Sequence, residues 1–377
     1  MKKNLWMLGV AVAALTSCTQ SEVVEVANSK AIDFDVFTNK NTRAVEELNG
    51  QTLTKIHIFG YETKTDTKAF DMEHPVFNNI TATGTVGPNT AWLYEGATKY
   101  WELNTTYRFA AYANGLDNQA TNNAEDESKL NNSIVSYNPK DNSTEPNEGE
   151  RGDGDQLTFN NYENTGTKDL IAAISGDRVV GTSYPSTKVS FSFNHMLSKL
   201  EFMFHLNAVP DGYDVYLSNF EINGIYNQGV GKCKFKLNTT TSVYEPEIWW
   251  TYEGVSTSAL TNDQEVKLST SQISGIFYLI PQDFGSATLS FTMTKKYKNS
   301  EDPIEIKYYQ ANLNIPKITS GKWLPGYYYR YLKEFKVAEV QLHPIEFVVV
   351  DVVDWKNATT AAHELQVVEV GAASSSN

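Results

Sequence analysis

Cysteine is almost missing from this chain: Cys18 and Cys233 are the only two among 377 residues. A disulfide framework cannot be what stabilises the fold, and a thiolate zinc site is excluded with it. Histidine is also scarce. His195 and His205 share one hydrophobic stretch but have no further ligands nearby in sequence, so no metal site is expected. Basic residues are outnumbered, 31 against 45 acidic, for a formal net charge of −14. That balance repels phosphate backbones and excludes nucleic acid as a partner. Sustained helical periodicity with caps is absent, so helices are expected to be few and short. The HExxH, GxSxG, Walker and dinucleotide-binding signatures are absent as well. No catalytic residues and no cofactor are assigned, and the chain is not expected to be an enzyme. Glycosidase carboxylate pairs are defined by distance in space, so sequence leaves that chemistry open.

The remaining composition is that of a folded protein, 41% hydrophobic and 12% aromatic, and its length suits two domains of ~150 residues. Residues 1–18 read as a targeting segment. Lys2 and Lys3 precede the apolar run Leu5–Leu15, whose 11 residues fall short of the ~20 that span a bilayer as a helix. The run ends in Leu15–Thr16–Ser17–Cys18, which is similar to a bacterial lipobox and makes Cys18 the candidate lipidation site. An acylated Cys18 would hold the protein on a membrane. The polar residues 19–30 read as a tether.

Beyond the tether the chain alternates strand patterns with polar turns. Ile32, Phe34 and Val36 alternate with acidic residues, giving a short half-buried strand. Thr38–Arg43 reads as an exposed loop. Leu53–Tyr61 is a stronger strand, with Ile56 and Ile58 inward and His57 outward, facing solvent. Trp92–Tyr94, Tyr100–Trp101 and Tyr107–Tyr112 form an aromatic-rich series. Asp117–Asp155 is dominated by Asn, Glu, Asp, Ser, Pro and Gly, and reads as a solvated excursion. It contains Arg151–Gly152–Asp153, an integrin-type tripeptide too short to be specific. It also contains Asp153 and Asp155, which lack the spacing of a calcium loop. An apolar run returns at Asp169–Ile174. Lys188–Leu206 then shows Val189, Phe191 and Phe193, followed by Leu200, Phe202, Phe204 and Leu206, each set on one face. Two such strands so close in sequence are expected at the centre of one sheet packed on a second. Further strands are read at Val215–Ile225, Gly231–Leu237, Ile248–Tyr252, Gly275–Ile280, Ala287–Thr294, Ile304–Ile315 and Leu365–Val370; Gly321–Leu332 holds Trp323, Pro325–Gly326 and four tyrosines, and Ile345–Val353 leads to Asp354–Trp355. Cys233 falls in a strand alternation and reads as a small buried residue rather than a nucleophile.

Several motifs in a fixed order carry a family resemblance. Phe193, His195, Leu197, Ser198, Lys199, Leu200 and Phe202 spell F-x-H-x-L-S-K-L-x-F with every position filled. Tyr100–Trp101 precedes a strand ending in Ala111–Tyr112, and Asp169–Leu170 with Ala173 gives D-L-x-x-A. Pro281–Gln282 follows a strand, Trp323, Gly326 and Tyr329 give W-x-x-G-x-x-Y, and Val352, Asp354 and Trp355 give V-x-D-W. The chain in this respect resembles the fimbrillin-like subunits of Bacteroidales pili. The resemblance implies an all-β protein of two tandem transthyretin-like β-sandwich domains, residues 31–185 and 186–377. It implies a structural subunit or accessory adhesin of a surface fimbria, exported as a lipoprotein to the outer membrane. Its partners would be other pilin subunits, the membrane through the lipid, and host or bacterial surface ligands. It also implies a protease cut after Arg43 that removes the strand of Ile32, Phe34 and Val36; the other reading of Arg43 is a solvated side chain without a role. Leu365, Val367, Val368 and Val370 either pair within their own domain or are donated to a neighbour. The alternative function is a carbohydrate-binding surface lipoprotein that uses its aromatic residues.

Overall fold

A computed structural model describes residues 30–38, 53–63, 69–86, 92–115, 129–139, 155–238, 243–252, 258–262, 265–283, 285, 287–313, 321–337, 352–354, 363–364 and 367–370. Every regular element among the described residues is a strand, so the protein is all-β. The strands begin with β1 (Phe34–Thr38), β2 (Lys55–Glu62), β3 (Phe77–Thr83), β4 (Leu93–Tyr94), β5 (Thr105–Asn114) and β6 (Val135–Asn138). Next come β7 (Gln156–Glu163), β8 (Leu170–Ile174), β9 (Arg178–Val180), β10 (Val189–His195), β11 (Ser198–Leu206) and β12 (Tyr213–Ile225). They continue with β13 (Gln228–Asn238), β14 (Val243–Tyr252), β15 (Ser258–Asn262), β16 (Val266–Lys267), β17 (Ile273–Leu279) and β18 (Thr288–Tyr297). The last are β19 (Pro303–Asn312), β20 (Tyr327–Phe335), β21 (Val352–Asp354), β22 (His363–Glu364) and β23 (Val367–Val370).

Four sheets result. The first has eight strands in the order β1-β10-β8-β5-β2-β3-β4, with β9 also paired to β5. Its two ends meet: the Phe34 ring of β1 lies 5.4 Å from Phe77 of β3 and 6.0 Å from Tyr94 of β4. The sheet therefore curls around a core of its own, made of Ile56, Ile58, Phe109, Ala111, Ile171, Phe191 and their neighbours. Right-handed strand twist favours such curling. Its opposite face packs on a four-stranded sheet, β14-β13-β7-β6, through Phe59, Tyr112, Leu157, Phe159, Cys233 and Trp250. Elsewhere a five-stranded sheet containing β17-β11-β20-β21 faces a six-stranded one containing β15-β12-β18-β19-β23. Their shared core holds Phe202, Phe204, Leu217, Phe291, Trp323 and Tyr331.

The two dry faces of the first sheet explain its sequence. Strands buried on both sides have no wet positions and lose their alternation. All five residues of β8 (LIAAI) are buried, as are nine of the ten in β5. Within the sheet Gly60 makes room for its cross-strand partners: a Cβ there would stand 2.7 Å from the Phe109 ring. The same fact corrects the reading of His57. It is fully buried, its Nδ1 3.4 Å from Thr81 Oγ1 and its ring 4.9 Å from that of Tyr112.

Two further expectations are corrected. The phenylalanine-rich strands β10 and β11 do not share a sheet; β10 pairs with β1 and β8, and β11 with β17 and β20. The chain crosses between sheets at Met196–Leu197, and the quoted motif is that crossing. Phe193 packs in the core of the first sheet, Leu197 beneath the four-stranded sheet, and Leu200 and Phe202 in the third core. Ser198 Oγ donates to the Leu324 carbonyl at 2.9 Å, and Lys199 Nζ lies 4.6 Å from the Tyr328 ring centre. The stretch 117–155 is not wholly a solvated excursion either. Val135 and Tyr137 are buried in β6, which pairs with β7. Because β13 pairs with β7, residues on both sides of the 185/186 division build one sheet.

Candidate functional site

β1 occupies an unusual position. On one side its backbone runs parallel to β10, Phe34 opposite Val189 through Thr38 opposite Phe193. Among the described residues β10 is its one ladder partner, and side chains of β1 meet those of β3 and β4 on the other side. Upstream, Ala31 bridges to Tyr100, and Ile32 N donates to the Lys99 carbonyl at 2.9 Å. Lys188 Nζ lies 3.3 Å from Asp35 Oδ1.

The inward side chains carry most of the hold. Ile32, Phe34 and Val36 have no exposed surface, and each contributes roughly 1.5–3 kcal/mol on burial. Phe34 sits in a cage of rings: Phe77 and Tyr94 as above, Phe109 edge-on at 5.7 Å and Phe191 stacked at 5.6 Å. This is a slot shaped for one extended segment with a large aromatic in the middle. Arg43 and Cys18 lie outside the described residues.

At the other end of the chain the pairings among the described residues are short. β21 matches three residues of β20, β22 two of the same strand, and β23 four of β19. In β23, Val367, Val368 and Val370 stand opposite Ala311, Gln310 and Tyr308 at the margin of the six-stranded sheet. Leu365 lies outside the described residues.

Sequence reasoning missed the buried polar groups. Arg108 on β5 places Nη1 2.9 Å from Asp155 Oδ1 and Nε 2.5 Å from Asp177 Oδ1, with its guanidinium 4.9 Å from the Phe70 ring centre. Asp155 is thus an ion-pair partner of Arg108 at the foot of β7, and Asp153 lies outside the described residues. On β11, Glu201 accepts from the Tyr328 hydroxyl and from Arg330 Nε at 3.0 Å. Burial, reinforced by the Glu201 charge, pushes the Tyr328 hydroxyl well above its usual range. His195 Nδ1 lies 2.9 Å from Asp169 Oδ2 beside the sheet crossing. Asp71, Glu73 and His74 cluster at the surface, where Asp71 Oδ1 accepts the backbone N–H groups of Glu73 and His74.

Cys233 is fully buried, and desolvation pushes its thiol up to about 12. A thiol so protonated and so enclosed does not react. Iodoacetamide at pH 8 is expected to leave native Cys233 unmodified while labelling it fully in denaturant; rapid native labelling would contradict the buried position.

The chain matches a family profile described as fimbrillin-like over residues 42–355. No curated protein matches it. Among solved structures it is similar to a fimbrial protein from Bacteroides vulgatus, 14% identical, over 86% of this chain and 99% of that one, with a TM-score of 0.45. A fimbrial assembly protein from Parabacteroides distasonis is 14% identical over 86% of this chain and 98% of that one, TM-score 0.36. The fimbrial anchor protein Mfa2 from Porphyromonas gingivalis is 10% identical over 80% and 91%, TM-score 0.27.

Proposed function

The chain belongs to the fimbrillin-like family, and we propose that it is a structural, non-catalytic subunit of a surface fimbria, or an accessory adhesin of one. It is exported as a lipoprotein through Cys18, reaches the outer membrane on that anchor, and assembles with other pilin subunits by strand exchange. Host or bacterial surface ligands complete its set of partners.

The observation that supports this reading best is the position of β1. Among the described residues its one ladder is with β10, beside the buried Ile32, Phe34 and Val36 and the short bridge at Ala31, and Arg43 follows it by a few residues. A cut after Arg43 leaves Ile32, Phe34 and Val36 attached by non-covalent contacts alone. Once that strand leaves, a row of unpaired N–H and C=O groups on β10 and an apolar groove stand open. A strand from a neighbour fills both by β-augmentation. Leu365–Val370, at the margin of its own sheet, is one candidate donor.

Protein cut at Arg43 is expected to convert from monomer to ordered polymer, read by electron microscopy and size-exclusion chromatography. Cut protein that loses residues 19–43 and stays monomeric would remove the assembly role. A glycan array on the same sample serves the alternative: clear sugar binding without polymer points to a carbohydrate-binding lipoprotein.

A further inference from the structure

A chain with a formal net charge of −14 repels polyanions over most of its surface, so a basic face on it stands out. The outer face of the four-stranded sheet is one. Leu157, Cys233 and Trp250 turn inward to the core beneath that sheet, and the residues that alternate with them turn outward. Lys232 of β13 stands between Trp249 of β14 and Thr158 of β7, and Ser136 of β6 lies beyond Thr158. This row crosses all four strands. In the next row Lys234 stands between Glu247 and Gln156. Trp249 is half-buried, with Lys234 Nζ 5.0 Å and Lys232 Nζ 6.0 Å from its ring centre. Lys234 Nζ lies 3.8 Å from Glu247 Oε2. Lys232 has no carboxylate partner among the described residues, its contact being the Trp249 ring. Two lysines against one glutamate leave one positive charge beside a partly exposed aromatic ring.

Resting on the adhesin half of the reading above, we infer that this face binds an acidic polysaccharide whose carboxylates are spaced apart, a chain in which uronic acids alternate with neutral sugars. Each part of such a ligand has a counterpart. The C–H face of a sugar ring packs on the Trp249 indole, and a carboxylate takes a charge-assisted hydrogen bond from Lys232 Nζ. Thr158 Oγ1 accepts from Gln156 Nε2 at 2.7 Å, which leaves the Thr158 O–H and the exposed Ser136 hydroxyl for sugar oxygens. Neighbouring strands are ~4.8 Å apart, close to the length of one sugar in a linear chain. A saccharide lying across the strands therefore meets about one side chain of the row per sugar. Charge density selects within the acidic class. The acidic chain around the site repels a densely sulfated polymer, and one surplus lysine matches one carboxylate rather than a cluster of sulfates.

Biolayer interferometry of the purified protein on immobilised hyaluronan tests this, with dextran as the neutral polymer and heparin as the densely sulfated one. Hyaluronan should bind best of the three, and more weakly as salt rises. W249A should weaken that binding about tenfold or more, as loss of a ring anchor does. K232Q should weaken it several-fold and flatten its salt dependence, while K232R keeps it. Y297A, which removes a tyrosine 62% exposed on β18 of another sheet, should bind like the parent. Thermal midpoints report whether each variant is folded; should W249A melt early, the contrast between K232Q and K232R decides. Unchanged binding in W249A and K232Q, or an equal loss in Y297A, overturns the site. Dextran bound as well as hyaluronan, or heparin bound more tightly, overturns the ligand class. Protein that binds none of the three overturns the inference, and polymer formed by that protein after the cut at Arg43 leaves the subunit reading standing. Neither binding nor polymer overturns both.

Discussion

Phe34→Ala is expected to cost the uncut protein about 3–5 kcal/mol of stability, the range for emptying a buried phenylalanine site. The size follows from what the ring touches. It has no exposed surface and lies between 5.4 and 6.0 Å from four other aromatic rings. Each such pair adds ~0.5–1.5 kcal/mol beyond area burial, so truncation removes both transfer energy and ring contacts. Relaxation is limited, because Phe77 and Phe109 are held on β3 and β5 and cannot both close on the void. The loss should appear first as local opening. Amide exchange should accelerate at Val189–Phe193, opposite β1, while Leu200–Phe204 on β11 keeps its protection. The same substitution should speed polymer formation after the cut at Arg43, since less holds the strand in place. A denaturation shift below ~1 kcal/mol would show that β1 does not close the sheet as the ring geometry requires.

How far the sequence could be read depended on how many faces of each strand are wet. Where one face is solvated, alternation marks strand and face together: Val189, Phe191 and Phe193 point inward and Ser190 and Ser192 outward, as their burial shows. The curled sheet has two dry faces, and there the rule misled. Alternation from Ile56 and Ile58 assigns His57 to solvent, but its side of the sheet is the one that packs on the β14-β13-β7-β6 layer, and it is fully buried. Partner choice was illegible for another reason. Pairing depends on long-range closure, which local periodicity does not encode, so β10 and β11 looked like neighbours although they lie in different sheets. β13 read as a strand, yet nothing in Lys232–Leu237 announces β7 as its partner. In the candidate site, Ile32, Phe34 and Val36 were legible as inward residues because Asp33 and Asp35 mark the other face. The cage that receives Phe34 was not, since its rings come from β3, β4, β5 and β10.

Arg108→Met should be at least as damaging as Phe34→Ala, for an electrostatic reason. The Arg108 guanidinium is 1% exposed, and the two carboxylates it bridges, Asp155 and Asp177, are each 9% exposed. Methionine keeps much of the packing against Phe70 but removes the cation that bridges two buried carboxylates. Removing one partner of a buried ion pair costs about 3–5 kcal/mol, mostly because the charge left behind is uncompensated. Asp155 opens β7 and Asp177 lies between β8 and β9, so the change loosens both from β5. Since β7 pairs with β13, the whole four-stranded sheet should feel it. The mechanism has its own control. If stranded carboxylates are the cause, Asp155→Leu and Asp177→Leu introduced together with Arg108→Met should recover most of the loss, because buried ion clusters can be replaced by apolar groups at little cost. Guanidinium chloride midpoints of the single and triple variants measure this. Urea midpoints of the unsubstituted protein with and without 1 M salt should barely differ on account of this cluster, as buried pairs are weakly screened. A single variant within ~1 kcal/mol of the parent, or a triple variant worse than the single, would mean that Arg108 serves by packing on Phe70 rather than by neutralising Asp155 and Asp177.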